Sequence, residues 1–307
     1  MNKLILFSAA CALVAVLNTG CSTAGTVVTP GQGVWVEKVA GGFGFTEGPA
    51  WDGNGWIYFT DIPNNRIHRF NHSTAQLEIV KEESGGANGL AFDRYGKLIA
   101  AEGGARRLAS MNADGSGEQP IAAYYGVSRL NSPNDLALDG HGGIYFTDPR
   151  YGDRSSMEMA TEGVYYLDKN GHVTEVVGDL VRPNGVLLSR NRKTLYVADN
   201  AAKTIWSYPV MGAGKVGEGK VFAWMDPNAA GGGDGMTLDE KGNVYVAGQG
   251  GVWIWGYNGF LREQIHVPEA PSNVTFGGED GSTLYITART GLYRVKMDVR
   301  GAAWATQ

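Results

Sequence analysis

The stretch NDLALDGHGGIYFTD (residues 134–148) decides the fold of this 307-residue chain, because variants of it recur five more times. The other copies open at residues 47, 88, 184, 234 and 273 and read EGPAWDGNGWIYFTD, NGLAFDRYGKLIAAE, NGVLLSRNRKTLYVAD, DGMTLDEKGNVYVAG and NVTFGGEDGSTLYIT. They begin 39 to 50 residues apart, and with strand-like content and no helical pattern this period is typical of propeller blades. Equivalent positions at the start of each innermost strand then converge on one axis, so the repeats predict a fold and a site together.

Each repeat has the pattern of a four-stranded antiparallel blade. An alternating strand leads through a Gly-containing turn to a more hydrophobic strand, a third strand and a polar fourth strand such as LEIVKE (residues 77–82). The last repeat lacks a fourth strand, and an unassigned strand at residues 34–40 precedes the first repeat. We therefore predict an all-β, six-bladed β-propeller with four antiparallel strands per blade, its ring closed by the N-terminal strand, which removes an exposed edge. A seven-bladed ring with one degenerate blade is the weaker alternative, since no stretch is left to build it.

The N-terminus predicts export. Lys3 precedes an apolar stretch that is too short for a membrane span, so residues 1–21 are expected to be a secretory signal peptide. Gly20-Cys21 is also similar to the end of a bacterial lipoprotein cleavage box, although Asn18 stands where an aliphatic residue is usual. Lipid attachment at Cys21 and an ordinary cysteine inside a longer leader are the alternatives. The expected location is therefore periplasmic or membrane-anchored as a lipoprotein, with any membrane contact made through Cys21.

The rest of the chain is expected to form one domain. Residues 22–32 have the small and turn-forming composition of a flexible tether, residues 33–299 form the propeller, and residues 300–307 are a C-terminal tail. No cysteine follows Cys21, so the exported domain is expected to hold no disulfide. The 46 glycines and 14 tyrosines suit a turn-rich, many-stranded protein, and a net charge of −5 without a basic run argues against a nucleic-acid partner.

The first residue of every repeat carries a side-chain oxygen. These residues are Glu47, Asn88, Asn134, Asn184, Asp234 and Asn273. Asn-Gly and Asp-Gly are strong hairpin-turn signals, so each dipeptide taken alone favours a turn. However, each repeat already has its hairpin turn about eight residues later, and Glu47-Gly48-Pro49 and Asn273-Val274 keep the oxygen while losing the Asn-Gly pattern. The set therefore predicts a ring of oxygen ligands on the propeller axis, suited to a hard cation.

Several motifs resemble those of the regucalcin/gluconolactonase family, and of bacterial gluconolactonases in particular. The similarity spans roughly residues 34–297 and is carried by FTEGPAWD, RLNSPNDLALDGHGGIYFTDPRYG, RPNGVLLS, GDGMTLDEKGN and SNVTFGGEDGSTLYIT. The resemblance implies a six-bladed propeller with a divalent cation, usually calcium, in its central channel. Its motif ligands fall on Glu47, Asn134, Asn184 and Asp234; some members use only three of these positions directly, and Asn134 is the weakest candidate for a direct ligand.

These four residues make chemical sense as a calcium site. Two carboxylates balance a divalent charge, two amides add oxygen ligands, and positions remain for water and substrate because calcium accepts six to eight oxygens. Zinc favours His or Cys. None of the five histidines stands at a ring position, and we expect them to be surface or turn residues: His68, His72, His141, His172 and His266.

The resemblance implies a hydrolase that opens a sugar lactone such as gluconolactone. A bound cation would polarise the lactone carbonyl, and a carboxylate must take the proton from the attacking water. Asp234 resembles the family's proposed catalytic carboxylate, although a carboxylate bound to a metal is a poor base unless it shifts. Asp199 closes the second strand of its repeat and is the other candidate, with a turn-capping role as its alternative.

Four more residues are expected to bind substrate. Asn88 and Asn273 complete the ring and are assigned to substrate hydroxyls, with an inert polar lining as the alternative. Arg129 and Asn131 flank the metal motif and are assigned to a polar substrate, although an outward surface position suits Arg129 equally. One departure from the family stands in the second blade, where many relatives read Cys-Glu-His-Gly and this chain reads AEGG (residues 101–104). The missing histidine leaves Glu102 as the ionisable group there.

Two other functions suit the same sequence. Hydrolysis of other esters or phosphotriesters requires only a polarising cation, and a fold does not specify the acyl group. A propeller that binds a ligand without turnover, with a metal that only holds the blades together, is the alternative from a different class.

Overall fold

The fold is seen in a computed structural model that describes residues 35–303. The predicted signal peptide and tether, the candidate lipid-attachment residue Cys21 and the end of the C-terminal tail lie outside the described residues. In the part of the chain that is described, no helix is long and apolar enough to cross a bilayer.

Six antiparallel sheets follow one another along the chain after a separate N-terminal strand, β1 (Glu37–Gly41). Blades 1 and 2 consist of β2 (Thr46–Trp51), β3 (Trp56–Asp61), β4 (Arg66–Asn71), β5 (Leu77–Glu82), β6 (Ala87–Phe92), β7 (Leu98–Glu102), β8 (Arg107–Met111) and β9 (Gln119–Ala122). A short hairpin, not predicted, then joins β10 (Tyr124–Tyr125) to β11 (Ser128–Arg129). Blade 3 consists of β12 (Leu136–Leu138), β13 (Ile144–Asp148), β14 (Gly163–Leu167) and β15 (Val173–Val177).

The remaining blades repeat this order. Blade 4 consists of β16 (Pro183–Leu188), β17 (Thr194–Asp199), β18 (Thr204–Gly212) and β20 (Lys220–Trp224), with a short ribbon strand, β19 (Lys215–Val216), paired to β18. Blades 5 and 6 consist of β21 (Met236–Leu238), β22 (Val244–Gly248), β23 (Gly251–Trp255), β24 (Leu261–His266), β25 (Pro271–Gly277), β26 (Thr283–Ala288) and β27 (Gly291–Lys296). The prediction of an all-β, six-bladed propeller is confirmed.

The N-terminal strand closes the ring, as predicted. β1 pairs antiparallel with β27 and supplies the fourth strand of blade 6, with Glu37 opposite Arg294 and a bulge between Lys38 and Ala40. The strand begins at Glu37, three residues later than the predicted start at residue 34. Two ion pairs reinforce the closure, Glu37 with Arg294 at 2.7 Å and Lys38 with Glu269 at 2.6 Å. Both are partly exposed, so backbone pairing contributes more to closure than these charges do.

The hydrophobic core lies between neighbouring blades. One cluster joins Tyr245 and Ala247 of blade 5 to Phe276 and Leu284 of blade 6, and the other interfaces are built in the same way. The second strands are covered on both faces, and all five residues of β7, β13 and β22 are buried. This explains why these strands read as near-continuous apolar runs.

The surface position expected for the histidines is wrong for His68. It lies in β4 with an exposed fraction of 6%. Its ring packs against Phe43 and Phe59, with centroids 5.0 and 5.4 Å away, and neither ring nitrogen has a hydrogen-bond partner. The ring serves as an aromatic filler of the interface between blades 1 and 6, and burial lowers its pKa.

Candidate metal centre and active site

The inner strands approach one another closely around the axis, and glycine makes this possible. Gly48, Gly89, Gly185 and Gly235 each follow a ring residue. A β-carbon on Gly89 would lie 2.7 Å from the carbonyl oxygen of Asn134, and the other three would meet the next blade as closely or more so. The dipeptides that resemble hairpin turns are therefore contact points between neighbouring inner strands, because only a residue without a side chain fits there.

Threonine and serine hydroxyls join the inner strands across blades. Thr60 Oγ1 donates to the carbonyl oxygen of Asn88 at 3.1 Å, and Thr147 Oγ1 donates to that of Asn184 at 2.6 Å. Ser272 Oγ donates to the carbonyl oxygen of Thr46 at 2.6 Å, across the junction between the last and first blades. These bonds hold the backbone of the ring residues, so their side chains start from fixed positions.

Four ring side chains lie beside one another. Asn273 Nδ2 donates to Glu47 Oε2 at 3.0 Å, and the backbone N–H of Gly48 donates to the same oxygen at 2.7 Å. The carboxyl group of Asp234 lies beside that of Glu47 and beside the amide of Asn184. The structure thus brings Asn273, Glu47, Asp234 and Asn184 together, although they come from four different blades.

Asn134 and Asn88 complete the ring. Asn134 has an exposed fraction of 7%, and its carbonyl oxygen accepts the N–H of Gly89 at 2.7 Å. Asn88 Oδ1 is buried without a hydrogen-bond partner. Below the ring, a cavity of 240 Å³ on the axis is lined by inner-strand residues including Gly48, Asp135 and Asn273.

Burial raises the pKa of both carboxyl groups in the ring, those of Glu47 and Asp234. Burial raises the pKa of Glu47 to about 7, against the hydrogen bonds from Gly48 and Asn273 that lower it. Burial, followed by the charges of Glu47 and Asp135, raises the pKa of Asp234 well above its usual range. Asp234 is partly exposed as a residue, yet its Oδ1 is buried and has no hydrogen-bond partner.

These observations fit a hard divalent cation. Within residues 35–303, no group of three or more His, Cys, Asp or Glu side chains is arranged to hold a metal ion. The donor set is instead two carboxylates with carboxamides, which is oxygen chemistry of the calcium type. A cation here would supply partners for Asp234 Oδ1 and Asn88 Oδ1 and would remove the repulsion between Glu47 and Asp234.

Asp135 was not recognised from the sequence. Its carboxylate is buried and accepts N–H groups from Leu136 at 2.9 Å and Val186 at 3.2 Å. Burial, followed by the charge of Glu47, raises its pKa to about 7. The sequence did contain a sign of this role. Four other repeats carry glycine at the position of Asp135, so an acidic residue there indicates a side chain that enters the channel.

Asp199 lies in a capping position. Its carboxylate accepts backbone N–H groups from Val181 at 2.8 Å, Arg182 at 3.0 Å and Ala202 at 3.2 Å. Asp61 and Asp148 close the second strands of blades 1 and 3 and accept N–H groups from the segment before their own first strands in the same way. This geometry favours the turn-capping alternative for Asp199 and explains why an acidic residue recurs at the position.

Arg129 and Asn131 are engaged with the backbone beside the ring. Asn131 Nδ2 donates to the carbonyl oxygens of Asp148 at 3.1 Å and Thr161 at 3.0 Å, and the residue is fully buried. Arg129 Nη2 donates to the carbonyl oxygen of Ala105 at 2.8 Å. Both hold the loop in place, so a substrate role for either requires a change from the positions seen here.

Glu102, at the position of the missing Cys-Glu-His-Gly run, is also held by the protein. Its Oε2 accepts from Arg107 Nε at 2.5 Å, while its Oε1 is buried without a hydrogen-bond partner. Burial raises its pKa. Arg107 therefore balances the charge of this carboxylate in a blade that has no histidine there.

The fold and the ring define a class: a six-bladed propeller with an axial site of carboxylate and carboxamide oxygens. The chain belongs to the SMP-30/Gluconolactonase/LRE-like family, whose model matches residues 45–290. A gluconolactonase from Zymomonas mobilis is 32% identical over 294 residues, which cover 87% of this chain and 82% of that protein. The pentonolactonase XacC from Haloferax volcanii is 29% identical over 252 residues, covering 80% of this chain and 81% of that one.

A solved structure agrees with these relatives. The structure of a gluconolactonase from Xanthomonas campestris superposes with a TM-score of 0.78 at 27% identity, covering 86% of this chain and 89% of that one. The family resemblance and the lactonase class expected from the sequence are confirmed.

Proposed function

We propose that this protein opens a sugar lactone, an aldonolactone such as gluconolactone, with the help of a divalent cation held by Glu47, Asn134, Asn184 and Asp234. The observation that carries the proposal is the contact between the buried carboxyl groups of Glu47 and Asp234, with Asp234 Oδ1 left without a partner. Two buried carboxylates in contact are costly unless a proton or a cation lies between them. The names of the gluconolactonase and pentonolactonase relatives support the sugar-lactone substrate.

Calcium is the cation that the donor set favours, and when bound it supplies Lewis-acid polarisation of the lactone carbonyl. The residues of the chain do the rest. Asp234 directs Oδ1 into the ring and takes a proton from water as the water oxygen bonds to the carbonyl carbon. The bond from that carbon to the ring oxygen breaks, and the proton passes to the ring oxygen to give the open hydroxy acid. Asn88 and Asn273 offer amide groups to substrate hydroxyls.

Asp234 is preferred to Asp199 as the proton acceptor. The Asp199 carboxylate accepts three backbone N–H groups, so its oxygens are already engaged in holding the turn. Asp234 lies in the ring beside Glu47, and its Oδ1 has no hydrogen-bond partner, so this oxygen is the one placed to take a proton from water.

Acid release tests the proposal. The purified protein is mixed with glucono-1,5-lactone in a pH-stat, with EDTA, without EDTA, and with EDTA followed by excess calcium. We expect EDTA to abolish enzymatic acid release and calcium to restore it. Cation-dependent melting without acid release would instead support the non-catalytic binding propeller, and activity on aryl esters alone would support a different ester substrate.

A pair of matched variants tests the role of Asp234. Asp234→Asn removes the proton acceptor and should reduce kcat by at least about a hundredfold, the lower end for losing a general base. Asp199→Asn removes a carboxylate of the neighbouring blade and should lower the melting temperature while keeping most of the turnover. Full activity in Asp234→Asn would exclude it as the base.

Export belongs to the same proposal. The leader predicted at residues 1–21 supports a periplasmic or lipid-anchored enzyme, and mass spectrometry of the mature N-terminus distinguishes the two. A diacylglycerol-modified Cys21 would show the anchor, and an unmodified N-terminus beyond Cys21 would show soluble release.

A further inference from the structure

Tyr151 reaches the ring from a segment that is not part of the six repeats. It lies on the loop at residues 149–162 between β13 and β14. Asn184 Nδ2 donates to Tyr151 Oη at 2.8 Å. Close to half of the residue is exposed at the mouth of the channel, while its hydroxyl lies beside the proposed ligands.

The loop holds Tyr151 firmly. Its neighbour Arg150 donates from Nη1 to the carbonyl oxygen of Asn131 at 2.8 Å and from Nη2 to Ser156 Oγ at 3.0 Å. The backbone N–H of Arg150 donates to Glu162 Oε2 at 2.8 Å. The guanidinium carbon of Arg182 lies 5.2 Å from the centroid of the Tyr151 ring, a cation–π contact. The hydroxyl is thus preorganised at the ring.

This contact fixes the orientation of a proposed metal ligand. The side-chain amide of Asn184 has two N–H donors and one carbonyl oxygen, and rotation by half a turn exchanges them. Its Nδ2 donates to Tyr151 Oη, and the amide lies beside the Asp234 carboxyl group, where an N–H is favoured over an oxygen. The carbonyl oxygen is then the part of the amide left for a cation.

The hydroxyl also has a proton to donate. A phenol can accept and donate at once, and in the part of the chain that is described the only hydrogen bond of Tyr151 Oη is the one it accepts from Asn184. An ordinary tyrosine hydroxyl has a pKa of about 10 and is protonated at neutral pH. Its O–H can therefore donate to an oxygen atom of a substrate in the mouth.

We propose that Tyr151 is a positioning and specificity-determining residue: it orients the Asn184 amide toward the ring, and its O–H donates to a hydroxyl oxygen of a polyhydroxylated lactone. The inference rests on the proposed function, because it assumes a cation at the ring and a lactone above it. It adds a substrate preference, since a site built to bond a substrate hydroxyl discriminates strongly against an analogue without one.

The test compares Tyr151→Phe with Tyr125→Phe. The control removes a hydroxyl from the β10–β11 hairpin, where the Tyr125 ring contacts Tyr165. Calcium affinity is measured by isothermal titration calorimetry on EDTA-treated protein, without substrate. Loss of a group that orients a metal ligand typically lowers affinity about 10- to 100-fold, and we expect this loss in Tyr151→Phe alone. The melting temperatures of the two variants in EDTA should remain close to that of wild type. A loss of calcium affinity without a loss of stability then reports the orientation of Asn184 and not general structural damage.

Kinetics tests the substrate preference. With saturating calcium, Tyr151→Phe should lower kcat/KM for glucono-1,5-lactone about tenfold or more, and should change kcat/KM for δ-valerolactone, which has no hydroxyls, much less. Equal calcium affinity and equal kinetics in Tyr151→Phe and wild type would overturn the inference while leaving the proposed function intact. A wild-type protein that neither binds calcium nor opens either lactone would overturn both.

Discussion

The close packing around the glycines beside the ring predicts how much an added β-carbon should cost, and Gly89→Ala is the clearest case. The added β-carbon would lie 2.7 Å from the carbonyl oxygen of Asn134 and 2.8 Å from the Cα of Asp135. Ordinary contact begins at 3.4 Å, so the two inner strands must separate by about 0.7 Å. The obstructing atoms include backbone, which cannot rotate away as a flexible side chain would.

Both stability and activity should suffer. Overpacking of this kind typically costs about 1–3 kcal/mol, which for a domain of this size lowers the melting temperature by about 2–10 °C. The shift also moves Asn134, a proposed ligand, and a displacement near 1 Å typically reduces activity about a hundredfold. We therefore expect a loss of tenfold to a hundredfold in kcat/KM for gluconolactone, measured in the pH-stat, alongside urea unfolding followed by tryptophan fluorescence.

Gly212→Ala is the matched control. It makes the same chemical change at the end of β18, where an added β-carbon meets nothing within 4 Å. Its stability and turnover should match wild type. If Gly89→Ala also unfolds within about 0.5 kcal/mol of wild type and keeps full activity, the explanation of these glycines as contact points between inner strands is wrong.

Three further predictions concern the scaffold. Asp148→Ala deprives the backbone N–H groups of Asn131 and Ser132 of their acceptor and should cost about 1–3 kcal/mol in urea unfolding; a cost near zero would contradict the capping role. Burial lowers the pKa of His68 in the folded state, so its unfolded form takes up a proton first as the pH falls below 6.5. The free energy of unfolding of His68→Leu, relative to that of wild type, should therefore increase as the pH falls from 7.5 to 5.5. A difference that stays constant over this range would refute the reasoning. A chain starting at Gly42 lacks β1 and leaves β27 as an open edge, so it should self-associate and elute earlier in size-exclusion chromatography. A chain starting at Trp35 keeps β1 and should not self-associate in this way.

The repeats were sufficient to predict the architecture. Strand alternation, turn glycines and the missing last strand are local features that recur at a fixed period, so the blade pattern and ring closure by the N-terminal strand could be predicted without coordinates. The oxygen-bearing residue at the start of each repeat was visible for the same reason. Periodicity predicts which residues face the axis, because equivalent positions in a closed ring are equivalent in space.

Contacts between different blades and loops could not be predicted from the repeats. Asp135 enters the channel because its repeat lacks the glycine that the packing of neighbouring strands requires elsewhere, and Tyr151 enters from a loop outside the repeat. The aromatic setting of His68 depends in part on Phe43, which lies outside the repeats. A repeat specifies whether a side chain faces the axis or points away from it. Its hydrogen-bond partners and its burial depend on which residues of other segments lie next to it, and only the folded ring determines those neighbours.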